Sequence, residues 1–249
     1  MIIGCLHLKP LPGSPEFEDF DEVLDHAIRN AKRLEEGGVD AIIIENFNDK
    51  PFLMEVGKET VAAMTAVAKE VKDSISLPIG INVLRNDGIA AASIAKAVKA
   101  DFIRVNQLFF PSIMPEGFSN PIAGKLARFI ASIKLNAMVF ADICAKHAVH
   151  FAETEDYIEN ADRSFADAFV LTGETTGKPP KLSDVKFVAE KLRAPIIIGS
   201  GVTPENFEKF GKYAYAFIVG SYFKRGDEID VERVRRLTSL KHRVFLSSQ

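Results

Sequence analysis

The chain has 249 residues, of which 47% are hydrophobic and 26% are charged, and its formal net charge is −3. These proportions are ordinary for a globular protein and exclude a disordered or fibrous chain, and the length fits one large domain. Because there is no basic excess to neutralise phosphates along a polymer, we expect no nucleic-acid partner.

The two cysteines, Cys5 and Cys144, are too few for a disulfide scaffold or a four-cysteine zinc site, which fits a reducing compartment. The opening MIIGCLHL has no basic segment before its short apolar run, and no apolar run approaches membrane-spanning length. The sequence therefore predicts a cytoplasmic protein without membrane insertion.

Short buried-strand patterns alternate with helical periodicity along the chain. A strand at 2–8 leads through the loop KPLPGSP to a helix over Phe20–Glu36, which Gly37 and Gly38 end. Further strands are predicted at 41–46, 78–84, 101–106, 137–142, 168–173, 195–200 and 216–221. Further helices are predicted at 60–71, 88–98, 123–133, 153–161 and 183–192, after Pro204, and from 231 onwards.

This alternation indicates a parallel sheet, because a parallel strand pair needs a crossover of helical length. Eight units in this length favour an α/β fold made of a single (β/α)8 TIM barrel over 1–249. An open doubly wound sheet is the alternative. A dinucleotide-binding sheet is disfavoured because no GxGxxG turn follows the first strand.

In the stretch AMVFADICAKHAVH, at 137–150, an apolar run is followed closely by several ionisable residues. Asp142 falls where the predicted strand ends, and Lys146 and His147 follow in the loop. A carboxylate, an amine and an imidazole at a strand end can transfer protons near neutral pH, although ordinary loop residues have the same composition. We interpret these three residues, with Glu45, as candidate catalytic groups.

The carboxyl ends of all barrel strands open onto one face, so polar side chains that are distant in sequence meet there. An inward Arg104 needs a carboxylate partner, because an unpaired buried charge is costly, and Glu45 or Asp142 can supply it. A network that only fills the core is the alternative to a binding site. Strand alternation points these side chains inward, as candidate substrate-binding or catalytic groups: His7, Glu45, Asn82, Arg104, Asn106, Asp142 and Thr172.

Glycines follow the last two predicted strands. Gly199, Ser200 and Gly201 come after the seventh strand, and Gly220 and Ser221 come after the eighth. Barrels often hold a phosphate with backbone amides of these two loops, and glycine lets the chain approach the anion closely. We therefore predict a phosphate site at these five residues, with simple turns as the alternative.

Two loops carry further expectations. TGETTGKP, after the sixth strand, can fold over a ligand, but it lacks the GxxxxGK[ST] spacing of an ATP-binding loop. The loop at 107–122 is rich in phenylalanine and proline and is predicted to be a lid or a subunit contact. No GxSxG or HExxH motif is present, so the cofactor is undetermined, and a metal held by His7, Glu45 and Asp142 is an open alternative.

Several segments together, in order across nearly the whole chain, resemble the BtpA (SgcQ-like) family of TIM-barrel proteins. The resemblance implies a barrel and carries over no site residues. The family is named after photosystem I biogenesis, and other members resemble predicted sugar-pathway enzymes. The segments that carry the resemblance are HLKPLPGSP, DAIIIENFNDKPF, PIGINVLRND, FIRVN, ADICAKHAVHF, TGETTGKP and IIIGSGVTPEN.

The first functional hypothesis is an enzyme acting on a small phosphorylated metabolite, either a sugar phosphate or a phosphoribosyl compound. Isomerase or lyase chemistry would use Asp142 as the leading acid/base, with Lys146 or His147 as its complement. Such an enzyme is expected to be a homo-oligomer.

Two alternatives come from different classes of function. One is a non-catalytic accessory or assembly protein, as the family name implies, with exposed Phe109, Phe110 and Phe118 as its contact surface. The other is a glycosidic or nucleosidic bond hydrolase that uses Glu45 and Asp142. Paired carboxylates need a separation of about 5 to 10 Å for that chemistry.

Overall fold

A computed structural model describes residues 1–245 and shows a closed barrel of eight parallel strands. This confirms the predicted (β/α)8 TIM barrel, and the open doubly wound alternative is wrong. Residues 246–249 of the predicted domain lie outside the described residues. The strands are β1 (Ile2–His7), β2 (Ala41–Glu45), β3 (Ile79–Asn82), β4 (Phe102–Val105), β5 (Met138–Ile143), β6 (Ala168–Leu171), β7 (Ile196–Ile198) and β8 (Ala216–Val219). Around the barrel they follow the order β1-β8-β7-β6-β5-β4-β3-β2.

Helices connect consecutive strands and cover the barrel. In the first helix the Asp19 side chain caps the amino end by accepting from the Glu22 amide at 2.9 Å, and the apolar spacing puts one face against the strands. The helices are α1 (Phe20–Glu36), α2 (Lys58–Ser74), α3 (Gly88–Val98), α4 (Ala123–Ser132), α5 (Thr154–Glu159), α6 (Leu182–Lys191), α7 (Pro204–Gly211), α8 (Val231–Thr238) and α9 (Lys241–Phe245). Within residues 1–245, none of them is long and apolar enough to cross a membrane.

The hydrophobic core has two layers. The larger layer lies between the strands and the helices, and the smaller one fills the barrel interior. In the smaller layer the rings of Phe102 and Phe140 stack with centroids 4.8 Å apart. A Cβ at Gly80 would fall 2.0 Å from the Phe102 ring, so the glycine makes room for it. This apolar plug closes the barrel and leaves the carboxyl ends of the strands for polar groups.

Short strands in the loops depart from the predicted pattern. Ser112–Met114 pairs with Gly117–Ser119 on one side and with Val149–His150 on the other, in a small antiparallel sheet. A hairpin of Lys224–Arg225 and Glu228–Ile229 follows β8. The helix predicted at 153–161 is shorter, because α5 ends at Glu159 and a 3₁₀ turn follows.

The three phenylalanines predicted to be exposed on the loop at 107–122 differ from one another. Phe109 is buried and meets Tyr157 edge-on at 4.9 Å, so its predicted exposure is wrong. Phe110 is half-buried and also contacts Tyr157. Phe118 is exposed, as expected. Two of the three phenylalanines therefore pack onto Tyr157 of α5, and the third lies on the surface.

Candidate functional site

A cavity of about 430 Å³ opens at the carboxyl ends of the barrel strands. Register places His7, Glu45, Asn82 and Arg104 side by side on β1 to β4. Residues that are far apart in sequence therefore meet, because parallel strands end at one face. Most of the predicted site residues line this cavity: His7, Glu45, Asn82, Arg104, Asn106, Lys146, His147, Gly199, Ser200, Gly201, Gly220 and Ser221.

Arg104 is the charged centre of the barrel interior and is almost fully buried. Its Nε and Nη2 donate to the two oxygens of Asp142 at 2.8 and 2.9 Å, and its Nη1 donates to Glu45 Oε1 at 3.3 Å. Burial disfavours the charged guanidinium, but Asp142 more than offsets this effect and raises the pKa of Arg104. The guanidinium is therefore a permanent cation held in one orientation.

Two asparagine amides extend this network around the barrel. Asn106 Nδ2 donates to Asp142 Oδ2 at 3.1 Å, and Asn82 Nδ2 donates to Asn106 Oδ1 at 3.1 Å and to the Arg104 carbonyl at 2.9 Å. Asn82 Oδ1 is buried and accepts no hydrogen bond from the described residues. Because Asn82 also lines the cavity, this unused acceptor is a candidate partner for a ligand hydroxyl.

Asp142 and Thr172 are the two predicted site residues that do not line the cavity. Both Asp142 oxygens are occupied by Arg104 and Asn106, and its side chain has no exposed surface. Arg104 also contacts Glu45, so the guanidinium lies between the two carboxylates proposed for bond hydrolysis. This arrangement gives the hydrolase alternative no support. Thr172 instead lines a neighbouring groove that Lys146 and His147 share.

His7 and Glu45 form the second polar contact of the cavity floor. His7 Nε2 lies 3.6 Å from Glu45 Oε2, and its Nδ1 lies 2.7 Å from Lys224 Nζ on the hairpin after β8. The ring stacks on Phe47 with centroids 4.1 Å apart. Burial, and then the neighbouring lysine charge, lower the pKa of His7 well below its ordinary value.

The structure identifies one set of side chains, within residues 1–245, whose donor atoms are close enough to share a metal ion. The Cys5 thiol, the His7 imidazole and the Glu45 carboxylate have ligand atoms within 4.8 Å of one another. Burial raises the pKa of the Cys5 thiol, whereas a metal ligand must be a thiolate. Two of the three candidate ligands are already paired with side-chain cations, because Lys224 contacts His7 and Arg104 contacts Glu45. The arrangement suits a metal poorly.

Cations dominate the walls of the cavity. Lys146 is half-buried and has no ion pair within the described residues 1–245, and burial and then Arg104 lower its pKa. Arg85 is buried, donates to the Lys146 carbonyl and lies 3.7 Å from Glu116. Lys50 lies over the Phe47 ring at 4.4 Å. Together these groups give the cavity a positive wall that favours an anion.

His147 joins the loops after β5 and β6. Its Nε2 lies 3.2 Å from Thr176 Oγ1, and its backbone amide donates to the Glu174 carbonyl at 3.4 Å. His147 is also in the left-handed backbone region at φ 60°. Burial, and then Arg85, lower the pKa of this histidine. The contact closes one side of the cavity mouth.

The glycine loops after β7 and β8 form the opposite edge. Ser200 Oγ accepts from the Gly173 amide at 2.8 Å and donates to the Lys178 carbonyl at 2.7 Å, so this hydroxyl braces the loop after β6. Gly201 has φ 64°, and a Cβ there would fall 2.1 Å from the Pro179 nitrogen. The backbone amides of Gly201 and Ser221 have no hydrogen-bond acceptor within residues 1–245. These amides are therefore free to donate to an anion.

Several lining residues were not predicted from the sequence. Lys50 and Arg85 lie in the loops that follow β2 and β3, so charge in the loop after a buried strand was an available signal for both. Lys224 does not line the cavity but contacts it through His7, and it had no such signal, because the hairpin that carries it forms only by pairing with Glu228–Ile229. The other unpredicted lining residues are Cys5, Phe47, Phe52, Leu84, Thr176, Gly177 and Ile218.

Comparison with known proteins agrees with this architecture. The model of the BtpA family matches residues 1–243. The chain belongs to the BtpA family. An uncharacterized protein of Archaeoglobus fulgidus is 56% identical over 236 residues, which cover 95% of this chain and 96% of the relative. The photosystem I biogenesis protein BtpA of Synechocystis is 35% identical over 235 residues, covering 92% of this BtpA-family chain and 82% of the relative.

Solved structures share the fold of this BtpA-family protein at low sequence identity. Thiamine phosphate pyrophosphorylase from Pyrococcus furiosus superposes with a TM-score of 0.62 at 15% identity, over 98% of this chain and 96% of that one. At this level of identity the likeness establishes the TIM-barrel fold alone, and the function must be argued from the site.

Proposed function

We propose that this BtpA-family barrel is an enzyme that acts on a small phosphorylated metabolite by acid/base isomerase or lyase chemistry. The observation that carries the proposal is the charge of the cavity. Lys50, Arg85, Arg104 and Lys146 line it, and Glu45 is the one carboxylate among the described lining residues. A sugar phosphate or a phosphoribosyl compound has the matching chemistry, with an anionic end and several hydroxyls.

The phosphate end belongs at the glycine edge of the cavity. A recess of about 240 Å³ adjoins the main cavity and shares Gly177, Gly201, Gly220 and Ser221 with it. The free amides of Gly201 and Ser221 supply donors without side-chain bulk. The hydroxyl-bearing end of the metabolite then faces Asn82, whose Oδ1 has no hydrogen-bond donor within residues 1–245.

Glu45 and Lys146 are the proton-transfer groups of this proposal. Both line the cavity, and Glu45 is held between Arg104 and His7. The pKa of Lys146 is lowered by burial, which moves the amine toward the pH range where a general acid or base works best. Asp142 takes a positioning role through Arg104 instead of the acid/base role that the sequence suggested.

Ligand-dependent thermal stability tests the binding part of this proposal. Inorganic phosphate, ribose 5-phosphate and glucose 6-phosphate are the probes, and Ser221→Asp is compared with the neutral, nearly isosteric Ser221→Asn. Ser221 is exposed, so neither substitution disturbs the core. Binding at about 100 times Kd stabilises the folded protein by about 2.7 kcal/mol. A shift in the wild type and in Ser221→Asn that is lost in Ser221→Asp supports the site, whereas no shift with any probe rejects it.

Hydrogen exchange tests the chemical part. The acid/base step proposed here removes a proton from a carbon of the sugar phosphate, so incubation in D₂O exchanges that hydrogen, which NMR detects. Glu45→Gln is expected to lower the exchange rate by at least about 100-fold, the usual contribution of a positioned general base. A bound sugar phosphate that exchanges equally fast in Glu45→Gln removes Glu45 from the mechanism.

A second candidate function, an accessory or assembly role, is favoured by one surface. Ile113, Phe118, Val149 and Phe151 are large, apolar and exposed on or next to the small antiparallel sheet. We propose that a second copy of the chain covers them in a homo-oligomer, which is compatible with the enzyme. A different protein in that place is the arrangement that the accessory role requires. The cytoplasmic location expected from the sequence stays a prediction.

A further inference from the structure

The contact between His7 and Lys224 determines the chemical state of the imidazole at the cavity floor. His7 ends β1, is 8% exposed, and lies with Nδ1 2.7 Å from Lys224 Nζ. Nε2, on the other side of the ring, lies 3.6 Å from Glu45 Oε2. The two ring nitrogens therefore face partners of opposite charge, and each possible state of the ring can be tested against both.

A protonated lysine has three donors and no acceptor, so it must donate to a lone pair on Nδ1. The neutral ring then carries its hydrogen on Nε2, where it points at the Glu45 carboxylate. A doubly protonated ring would instead place an N–H against the Lys224 ammonium. A neutral lysine accepting from Nδ1–H would leave the lone pair of Nε2 facing an oxygen of Glu45. An imidazolium beside a neutral lysine would satisfy the same two contacts only by moving a proton from the more basic amine to the less basic imidazole. With Lys224 protonated, only the tautomer with its hydrogen on Nε2 turns a donor toward an acceptor at both nitrogens.

We propose that Lys224 holds His7 as the neutral tautomer with its hydrogen on Nε2, so that His7 is a hydrogen-bond donor in the site and not a base. In the free protein Nε2–H points at Glu45. When a substrate is bound, the same hydrogen can polarise a carbonyl or stabilise an alkoxide oxygen. Lys224 acts through His7 and is a positioning residue. The donor role toward substrate rests on the proposed function, but the tautomer does not.

The surroundings of His7 agree with this assignment. The Phe47 ring stacks on it at an interplanar angle of 15° and fixes the plane of the imidazole. A Cβ at Gly220 would lie 3.4 Å from Nε2, so the glycine leaves space beside the donor. Charged or titratable groups face or influence the ring from several elements: Cys5 on β1, Glu45 on β2, Lys50 on the loop after β2, Arg104 on β4, Lys146 on the loop after β5, and Lys224 on the hairpin.

Long-range ¹H–¹⁵N NMR of the ligand-free protein tests the proposal, because the two tautomers give different nitrogen shifts and cross-peaks. His7 is assigned by the loss of its signals in His7→Gln. We expect Nε2 protonated and Nδ1 unprotonated in the wild type, with no change between about pH 8 and pH 5.5. An Nδ1–H tautomer, or an imidazolium that forms at the ordinary histidine pKa, overturns the proposal.

Three substitutions distinguish the effect of the Lys224–His7 hydrogen bond from the effect of nearby positive charge on the imidazole. Lys224→Met removes the donor, so we expect a mixture of tautomers and protonation at a higher pH, while Lys224→Arg keeps the donor and the wild-type signature. Lys50→Met removes a nearby charge that contacts Phe47 instead of His7, and should leave the tautomer unchanged. An unchanged signature in Lys224→Met rejects the positioning role.

The same samples distinguish a failure here from a failure of the proposed function. Inorganic phosphate is added after the tautomer has been recorded. If the tautomer is as expected and phosphate neither binds nor shifts the His7 signals, the phosphate site is wrong and the tautomer assignment stands. If phosphate binds to a protein whose His7 is the other tautomer, the assignment fails and the phosphate site stands.

Discussion

At the scale of single residues, the pairing of Arg104 with Asp142 decides whether the barrel interior tolerates charge. Both groups are buried, and the two hydrogen bonds between them are 2.8 and 2.9 Å long. Replacing one partner leaves a buried charge without compensation, which typically costs about 3 to 5 kcal/mol. The pair therefore matters more for stability than any exposed ion pair of this protein.

We expect Asp142→Asn to lower the free energy of unfolding by about 3 kcal/mol, because Arg104 then keeps only Glu45 as a charged partner. Urea denaturation measures the change. Asp162→Asn is the matched control on an exposed carboxylate and should stay within about 0.5 kcal/mol of the wild type. A loss below about 1 kcal/mol in Asp142→Asn would contradict the importance of the buried pair.

The buried imidazole of His7 predicts a dependence of stability on pH. Its folded pKa is lowered, so below about pH 6.5 the unfolded chain binds a proton that the folded chain does not bind. The unfolded state then gains protons, and stability falls as the pH drops, by up to about 1.4 kcal/mol per pH unit. Above about pH 6.5 this contribution to the slope vanishes.

Removing the imidazole should remove that part of the slope. Between about pH 6.5 and pH 5, we expect the stability of His7→Gln to fall less steeply than that of the wild type. His242→Gln, on an exposed side chain, serves as the control and should parallel the wild type. Unfolding free energies measured across this range check the prediction, and parallel curves for all three proteins would refute it.

Strand alternation explains which site residues the sequence could predict. A period of two residues points His7, Glu45 and Arg104 into the barrel whatever the details of packing, and the register puts them next to one another. Alternation does not say which inward side chain a ligand can reach. Asp142 points inward as predicted, but Arg104 and Asn106 occupy both of its oxygens. Whether a ligand can reach an inward side chain depends on side-chain packing, which the alternation pattern does not describe.

At the scale of elements, the loop after β7 depends on one glycine. Gly201 combines a left-handed backbone with close packing, because a Cβ there would overlap the Pro179 nitrogen at 2.1 Å and the Lys178 carbonyl carbon at 2.3 Å. Gly226, in the hairpin turn, has the same φ of 64° but no atom within 4 Å of its Cβ position. Substitutions at the two positions can therefore be compared to separate the energetic cost of a left-handed backbone from the energetic cost of overlap with Lys178 and Pro179.

Gly226→Ala should therefore lower the free energy of unfolding by about 1 to 2 kcal/mol, which is the cost of placing an alanine in the left-handed backbone region. Gly201→Ala should lower the free energy of unfolding by about 1 to 3 kcal/mol more than Gly226→Ala, because the loop that carries Lys178 has to move. Urea denaturation gives both values, and faster proteolysis within 173–179 should accompany the second substitution alone. Equal losses at both positions would show that the packing of this loop does not depend on Gly201.

The elements that the sequence predicted well are those whose own periodicity specifies them. Short apolar runs predicted all eight barrel strands, and apolar residues at helical spacing predicted most of the helices, because each of these elements has its own buried surface. Ser112–Met114 and Val149–His150 were missed, since such short strands are stabilised by pairing with each other and not by a local pattern. α5 ended early for a related reason, because a 3₁₀ turn replaces its last residues.

At the scale of the whole molecule, four of the seven large exposed apolar side chains among the described residues lie in one place. Ile113 pairs with both Phe118 and Val149, so the three side chains lie in a row across the small sheet. Phe151 extends the row, with its ring centroid 6.0 Å from that of Phe118. The exposed fractions of the four side chains are between 48% and 68%. Such a cluster is expected to be covered in solution.

We expect a second copy of the chain to cover it, so Phe151→Ser should shift the protein toward the monomer. Tyr215→Ser is the matched control, because Tyr215 is also 63% exposed but lies before β8, at the opposite end of the barrel. Light scattering across a concentration series measures the molar mass. A wild-type monomer, or an equal shift in both variants, would contradict self-association through the sheet. A wild-type monomer would also make the surface available to a different protein, which is what an accessory role requires.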